Sequence, residues 1–115
     1  MSELTGIARF TFHEGQVEEF KRLSALCLDI VRTQDTGTLL YEVYFNDDES
    51  EAMVVERYRD SQALIEHSQN LAHLMEPIIA TGTVVGELLG EPSPELRAGF
   101  AADGPVQLFS PYLSL

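Results

Sequence analysis

Two of the chain's three histidines lie in one short stretch, ERYRDSQALIEHSQNLAH, which covers residues 56–73. A neutral imidazole can take a proton near neutral pH, because the ordinary pKa of histidine is about 6.5. His67 follows Leu64 by three residues and precedes Leu71 by four, so helical spacing places it on the apolar side of a helix. The pattern favours His67 as the base of a buried pocket, and a half-buried histidine with a local hydrogen bond is the alternative.

His73 is the second candidate base, and the direction of its side chain is less well defined because the helix is expected to break near Asn70. It can line the mouth of a pocket, whereas capping and packing are the alternatives. A zinc site is not expected, since six positions on one helix place His67 and His73 about 120° apart and no third ligand is near. With Cys27 as the only cysteine and no phosphate-binding glycine loop, we expect no metal, flavin or haem.

Glu56 is the carboxylate of greatest interest, because alternation along a strand places it on one face with Val54 and Tyr58. An unpaired charge is costly in such apolar surroundings. The first interpretation is a structural ion pair with Arg9 or Arg57, across the sheet or across a dimer. The second is a raised pKa that makes Glu56 a proton carrier.

Four aromatic side chains on expected strands are candidates to contact a substrate: Phe10, Tyr41, Tyr44 and Tyr58. A tyrosine hydroxyl can hydrogen-bond a phenolic ligand and orient its ring. Aromatic residues on strands are commonly part of the core, which is the alternative for all four.

Hydrophobic periodicity indicates the elements that position these residues. The first strand contains alternating Ala8, Phe10 and Phe12, and the first helix carries apolar residues at three- and four-residue spacings. Two segments rich in β-branched and aromatic residues flank the turn NDDES and form a hairpin. Asp60 or Ser61 can cap a second helix. In order, the sequence predicts a strand at 6–13, a helix at 14–34, strands at 38–45 and 51–58, a helix after residue 60 with a short second segment before Pro77, and a strand at 83–90.

The resulting order, β-α-β-β-α-β, is that of an α+β ferredoxin-like subunit. The DTG that follows the first helix is a stop signal, in which Gly37 is suited to a left-handed cap. Residues 1–92 are expected to form this domain, and residues 93–115 a C-terminal extension. In the extension, Ser93 and Pro94 suit the start of a short helix, and a short apolar strand, VQLF, follows. The extension is expected to pack on the domain or on a dimer partner.

Both faces of the predicted sheet are largely apolar. Along the second, third and fourth strands, neither face alternates cleanly to polar residues, and charges are isolated. Helices can cover only one face of such a sheet, so something else must cover the other. A second copy of the sheet is the simplest candidate. We therefore expect a symmetric homodimer with the extension across or near its interface.

Composition excludes several kinds of partner. The 115 residues include 7 basic and 19 acidic side chains, which gives a formal net charge of −12. A nucleic-acid partner is not expected, because the basic surface that phosphate binding needs is absent. An anionic membrane is disfavoured for the same reason. The sequence shows neither a secretory signal pattern nor a membrane-spanning run, so a cytoplasmic location is expected.

Three segments resemble the antibiotic biosynthesis monooxygenase (ABM) family of the dimeric α/β-barrel superfamily: LLYEVYFND, VVERYRD and SQALIEHSQNLAH. In that family a strand closes with a glutamate and an aromatic residue, an acidic residue opens the helix, and a stretch bearing histidine follows. The resemblance covers roughly residues 5–90. The positions that fill this pattern are Glu56, Tyr58, Asp60, His67 and His73.

The resemblance implies two ferredoxin-like subunits with sheets packed face to face, and an apolar pocket between the sheet and helices of each. Several family members oxidise phenols or quinols with dioxygen and use no metal, flavin or haem. We therefore expect a cofactor-independent monooxygenase for a small aromatic molecule. In such an enzyme His67, or else His73, takes the phenol proton, while Tyr41 or Tyr58 orients the ring.

Two other kinds of function remain as alternatives. One is a non-catalytic dimer that binds a small ligand or acts in regulation, and the other is a metabolite isomerase on the same fold. The haem-degrading branch of the superfamily is not favoured, because its members place a tryptophan near the haem and this chain contains no tryptophan.

Overall fold

Nine elements follow one another along residues 3–115, the part of the chain that the computed structural model describes. They are β1 (Leu4–Phe12), α1 (Val17–Gln34), β2 (Thr38–Phe45), β3 (Glu51–Tyr58), α2 (Ser61–Asn70), α3 (Ala72–Ile79), β4 (Gly82–Leu89), α4 (Pro94–Ala98) and β5 (Val106–Phe109). From β1 to β4 the order is the predicted one, with the second helix divided in two. The predicted α+β ferredoxin-like fold is confirmed.

The five strands form one sheet in the order β2-β3-β1-β4-β5. The central strand, β1, pairs antiparallel with β3 and with β4, and β2 completes the hairpin with β3. The edge strand β5 belongs to the C-terminal extension and runs parallel to β4. The apolar strand of the extension therefore lies on the chain's own sheet.

The second helical region divides close to the predicted point. The N-cap of α2 is Asp60, whose carboxylate accepts a hydrogen bond from the Ala63 backbone N–H at 2.9 Å. The break falls at Leu71, one residue after the expected position. The sequence predicted that the short second helical segment ends before Pro77, but Pro77 lies inside α3. Proline has no backbone N–H to donate, so the helix lacks one hydrogen bond there. The buried side chains of Leu74 and Ile78 nevertheless pack this short helix on the core.

The helices pack on one face of the sheet, which we call the inner face. The buried stripe of α1 consists of Phe20, Leu23, Cys27 and Val31, and it contacts β-strand residues such as Phe10 and Val54 in the main core cluster. Although α1 has 18 residues, neither it nor any other helix in residues 3–115 is both long and apolar enough to cross a membrane.

The opposite side of the sheet, which we call the outer face, is apolar at its centre and open to solvent. Its register places six apolar residues together: Ile7, Met53, Val55, Val85, Leu89 and Phe109. Val85 is 48% exposed and Phe109 is 44% exposed. An ion pair between Arg9 and Glu87, at 3.6 Å, crosses this surface. Exposed apolar side chains in one continuous area are typical of a surface that another molecule covers.

Candidate active site

A cavity of about 300 Å³ lies between the inner face of the sheet, the second helical region and the C-terminal extension. Its walls are almost entirely apolar and include Leu64 of α2, Ile79 of α3 and Val106 of β5. Glu56 and Tyr58 bring polar groups to one end. An apolar cavity with a few convergent polar groups is typical of a small-molecule site, and this volume is at the small end of the usual range.

The cavity exists because small residues meet at the centre of the sheet. On the inner face Glu56 of β3 pairs with Gly6 of β1, and next to them Ala8 pairs with Gly86 of β4. A Cβ atom added to Gly6 would meet no other atom within 4 Å, so the space above this glycine is open. The backbone of β1 is therefore the floor of the cavity.

Glu56 is the acidic group on the inner face at the cavity. Its Oε1 atom accepts a hydrogen bond from the Tyr58 hydroxyl and lies 3.3 Å from Nε2 of His67. The predicted ion pair with Arg9 or Arg57 across the sheet of the same chain is wrong. Both arginines lie on the outer face, because side chains of adjacent strand residues point to opposite sides. Arg9 pairs with Glu87, and Arg57 lies 3.9 Å from Glu3.

His67 is buried, as predicted, but it lies behind Glu56 and is not among the residues that line the cavity. Nδ1 of its imidazole is 2.7 Å from Oδ2 of Asp35, and Nε2 faces Glu56. The imidazole therefore lies between two carboxylates. The group that can touch a bound molecule directly is Glu56, and His67 can act on that molecule only through Glu56.

Asp35 is the functional candidate that sequence reasoning missed. Its side chain is only 1% exposed, and it accepts hydrogen bonds from Thr38 at 2.6 Å and Asn70 at 2.7 Å. The available sequence signal was the spacing of His67 and Asn70, which lie three residues apart on the same side of α2.

A close contact between the turn after α1 and helix α2 brings Asp35 to His67. A Cβ atom added to Gly37 would lie 2.5 Å from the Cβ of Ala63, so only glycine permits this approach. The predicted left-handed cap is wrong, because the described glycines with positive φ are Gly15 and Gly90. Gly37 is needed for its small size at this position.

The surroundings set the protonation of the group. Burial raises the pKa of Asp35, but hydrogen bonds from Thr38, Asn70 and His67 outweigh burial and hold this pKa below its ordinary value. Burial lowers the pKa of His67, but Glu56 and then Asp35 outweigh it and raise this pKa above 6.5. A carboxylate beside each nitrogen therefore favours the protonated imidazole more than water does.

The tyrosines differ in position. Burial, followed by the charge of Glu56, raises the pKa of both Tyr41 and Tyr58, so both hydroxyls keep their protons. The ring centroid of Tyr58 lies 5.1 Å from that of His67, and the ring of Tyr41 lies 6.0 Å away. Tyr58 lines the cavity, whereas Tyr41 packs beside the imidazole.

Three of the predicted site residues lie elsewhere. Tyr44 is exposed on the outer face and donates a hydrogen bond to Glu42. His73 is exposed on α3. Phe10 is buried in the core, with its ring centroid 4.8 Å from that of Phe20. None of these three side chains lines the cavity.

Metal binding can be tested against the donor atoms of the site. Within residues 3–115, no group of three or more histidine, cysteine, aspartate or glutamate side chains could hold a metal ion. The two nitrogens of His67 are both engaged with carboxylates. What the arrangement can do is accept a proton at Glu56 and return one to a bound molecule.

Fold and site together define a ferredoxin-like domain with an acid–base group at one end of an apolar cavity. The chain belongs to the antibiotic biosynthesis monooxygenase family, whose model matches residues 4–75, well over half of the sequence. The family resemblance of the sequence is thereby confirmed. No curated protein sequence matches the chain.

Solved structures share this fold at low sequence identity. MupZ from Pseudomonas fluorescens is similar with a TM-score of 0.82 and 24% identity, over 98% of this chain and 88% of that one. Rv0793 from Mycobacterium tuberculosis has a TM-score of 0.70 and 24% identity, over 80% of this chain and 97% of that one. SnoaB, a cofactor-independent oxygenase from Streptomyces nogalater, has a TM-score of 0.67 and 18% identity, over 76% of this chain and 91% of that one. At these identities the similarity shows the fold alone.

Proposed function

We propose that this protein oxidises a small phenolic or quinol substrate with dioxygen in the cavity, and that it uses no metal, flavin or haem. The observation that carries the proposal is the Glu56 carboxylate at one end of a largely apolar cavity of about 300 Å³. Membership of the monooxygenase family supports the reaction class. The small volume favours a substrate of one or two rings.

The chemistry needs a base, an oriented ring and a dry site. Glu56 takes the phenol proton, and the electron-rich phenolate passes one electron to dioxygen. The two radicals combine at a free ring carbon to form a peroxide. The O–O bond then breaks as that carbon loses its proton, and the products are a quinone and one water molecule. The substrate supplies all the electrons, so no external reductant enters the balance.

Each residue of the site has a role in this reaction. Tyr58 donates to Glu56 in the resting state and can turn its hydroxyl toward the phenolate oxygen once Glu56 is protonated. His67 holds a proton next to Glu56 and can supply it when the hydroxide leaves. The apolar walls exclude water, which protects the charged intermediates.

Oxygen uptake with a panel of phenols and quinols tests the proposal. We expect at least one small member of the panel to consume oxygen faster with the protein than in its autoxidation, with one quinone formed per dioxygen. A metal chelator should leave the rate unchanged, and heat-denatured protein is the control. If no member exceeds its autoxidation rate, the oxidation reaction is not the function of this cavity.

The acid–base pair also favours a second candidate, the isomerisation of a small carbonyl metabolite. Glu56 and His67 share one proton that can be moved and returned, and isomerisation needs no other reagent. Oxygen separates the two candidates. Turnover that continues unchanged under nitrogen would identify the isomerase, whereas an oxidation must stop.

We also propose that the outer face packs against the outer face of a second copy to form a homodimer. The exposed apolar residues of that surface support this, and so do Tyr112 and Leu113, which are 91% and 84% exposed beyond β5. Light scattering at micromolar concentration should give twice the chain mass of 12.8 kDa. High salt should not dissociate the dimer, because its cohesion is hydrophobic. A stable species at 12.8 kDa would contradict the homodimer.

A further inference from the structure

The C-terminal extension forms the wall of the cavity that lies farthest from Glu56. Its two elements are both fixed to the domain. On one side of the loop, Leu96 of α4 is buried with Leu4 and Leu88. On the other, β5 pairs with β4, and the Gly86 backbone N–H donates to the Pro105 carbonyl at 2.8 Å. The loop of residues 99–105 is therefore held at both ends.

The cavity extends across the strands, because its lining residues come from β3, β1, β4 and β5. One row of inner-face positions crosses four neighbouring strands, from Val54 through Ala8 and Gly86 to Val106. Glu56 lies two residues farther along β3 than Val54. Three interstrand steps of about 4.8 Å give a span of roughly 14 Å from β3 to β5. A phenol whose hydroxyl meets Glu56 and whose ring lies across the strands directs its far end toward the extension.

Phe100 is the aromatic residue that the extension contributes to the cavity lining. It lines the cavity, and it also lines a surface groove of about 470 Å³ beside α2, whose other residues include Ile65, Gln69 and Ala72. Phe100 is the residue that the cavity and the groove share. Phe100 is half-buried, and it is in contact with both spaces.

We propose that Phe100 is the specificity-determining residue of the site and sets the greatest length of substrate that the cavity accepts. The inference rests on the proposed phenolic substrate for its orientation, because the carboxylate end fixes where the hydroxyl lies. The ring of Phe100 confines the substituent opposite the hydroxyl. Without that ring, the cavity opens into the groove and a longer substituent enters it.

The test is the affinity of 4-alkylphenols, from methyl to hexyl, measured by calorimetry beside the matching n-alkylbenzenes. For the parental protein, each added methylene should strengthen binding by about fourfold until the chain reaches Phe100, and binding should then weaken. Phe100→Ala should move this limit to a longer chain. Tyr112→Ala is the matched control, since it removes an exposed aromatic ring of the same extension and should leave the limit unchanged.

A second variant tests the opposite direction. Phe100→Trp should move the limit to a shorter chain, and it introduces the only tryptophan of a protein that has none. Its fluorescence should change when an alkylphenol reaches the wall, which reports occupancy without turnover. Circular dichroism confirms the fold of both variants.

The outcomes separate this inference from the proposed function. If both Phe100 variants have the parental limit, Phe100 does not set substrate length, whatever the phenols do. If the limit moves for alkylbenzenes and phenols bind no better than alkylbenzenes, Phe100 keeps its role and the phenolic substrate is wrong. If neither series binds at all, both proposals fail, because the cavity is then not a site for apolar ligands.

Discussion

Replacement of Glu56 by glutamine should lower the turnover of a phenolic substrate by about 10²- to 10⁴-fold, the usual loss when a general base is removed. Glutamine keeps the size of the side chain and an oxygen that accepts from Tyr58, but it cannot take the proton. The measurement is kcat by oxygen uptake. Glu51→Gln is the matched control, because Glu51 is an exposed carboxylate on the same strand and should leave turnover unchanged.

The same assay with His67→Gln decides which residue is the base. His67 reaches a bound molecule only through Glu56. The turnover of His67→Gln should therefore fall less than that of Glu56→Gln, and the pH profile of turnover should change. His73→Gln should have no effect, because His73 is exposed on α3. If His67→Gln loses more turnover than Glu56→Gln, the imidazole reaches the substrate itself, and the order of the two groups proposed above is reversed.

Local signals account for the parts of the fold that were predictable. The sequence predicts strands at 38–45 and 51–58, and the bounds of β2 and β3 agree to the residue. Both strands are rich in β-branched and aromatic residues and are separated by a polar turn, so the information lies within a few residues of each boundary. The buried position of His67 follows equally from the spacing of its neighbours on α2.

Contacts between distant segments were not predictable from the sequence. Alternation places Glu56 on the inner face, but the register between strands decides that Gly6 lies beside it and leaves the floor open. Asp35 and His67 are 32 positions apart and meet through a turn packed on a helix. Neither contact leaves a local pattern, because each depends on how two elements approach one another.

The far wall of the cavity had the weakest sequence signal. Ser93 is predicted to start a short helix, and the structure shows its side chain accepting from the Leu96 backbone N–H. The apolar run that follows could have packed on the chain's own sheet or on a partner. Only the pairing of β5 with β4 places Phe100 and Val106 in the cavity. The position of an edge strand depends on the whole sheet, so sequence pattern alone does not determine it.

Replacement of Asp35 by alanine should reduce the free energy of unfolding by about 3–5 kcal/mol, the usual cost of removing one partner of a buried ion pair. The change leaves His67, Asn70 and Thr38 without the oxygen atoms to which they donate. Because all three donors lie in a part-buried site, water replaces the carboxylate poorly. Guanidinium unfolding measures the difference.

Asp29→Ala is the matched control for the loss of a carboxylate. The Asp29 side chain is 70% exposed and pairs with Arg32 at 3.3 Å on the surface of α1. Such exposed pairs contribute about 0–1 kcal/mol. If the two alanine variants lose the same stability, the Asp35–His67 contact does not stabilise the fold, and the hydrogen bonds around Asp35 have replacements in the variant.

The pH at which unfolding is measured determines how large the Asp35 effect appears. The raised pKa of His67 gives a stabilisation that is complete below 6.5 and is lost as pH rises through the raised value. The lowered pKa of Asp35 gives a second stabilisation, which is present above pH 3.8 and is lost as pH falls through the lowered value. Both contributions are therefore complete between pH 3.8 and 6.5. The difference between the parental protein and Asp35→Ala should be largest in that window and should shrink on the alkaline side. A difference that stays constant or grows above neutral pH would show that Asp35 does not raise the pKa of His67.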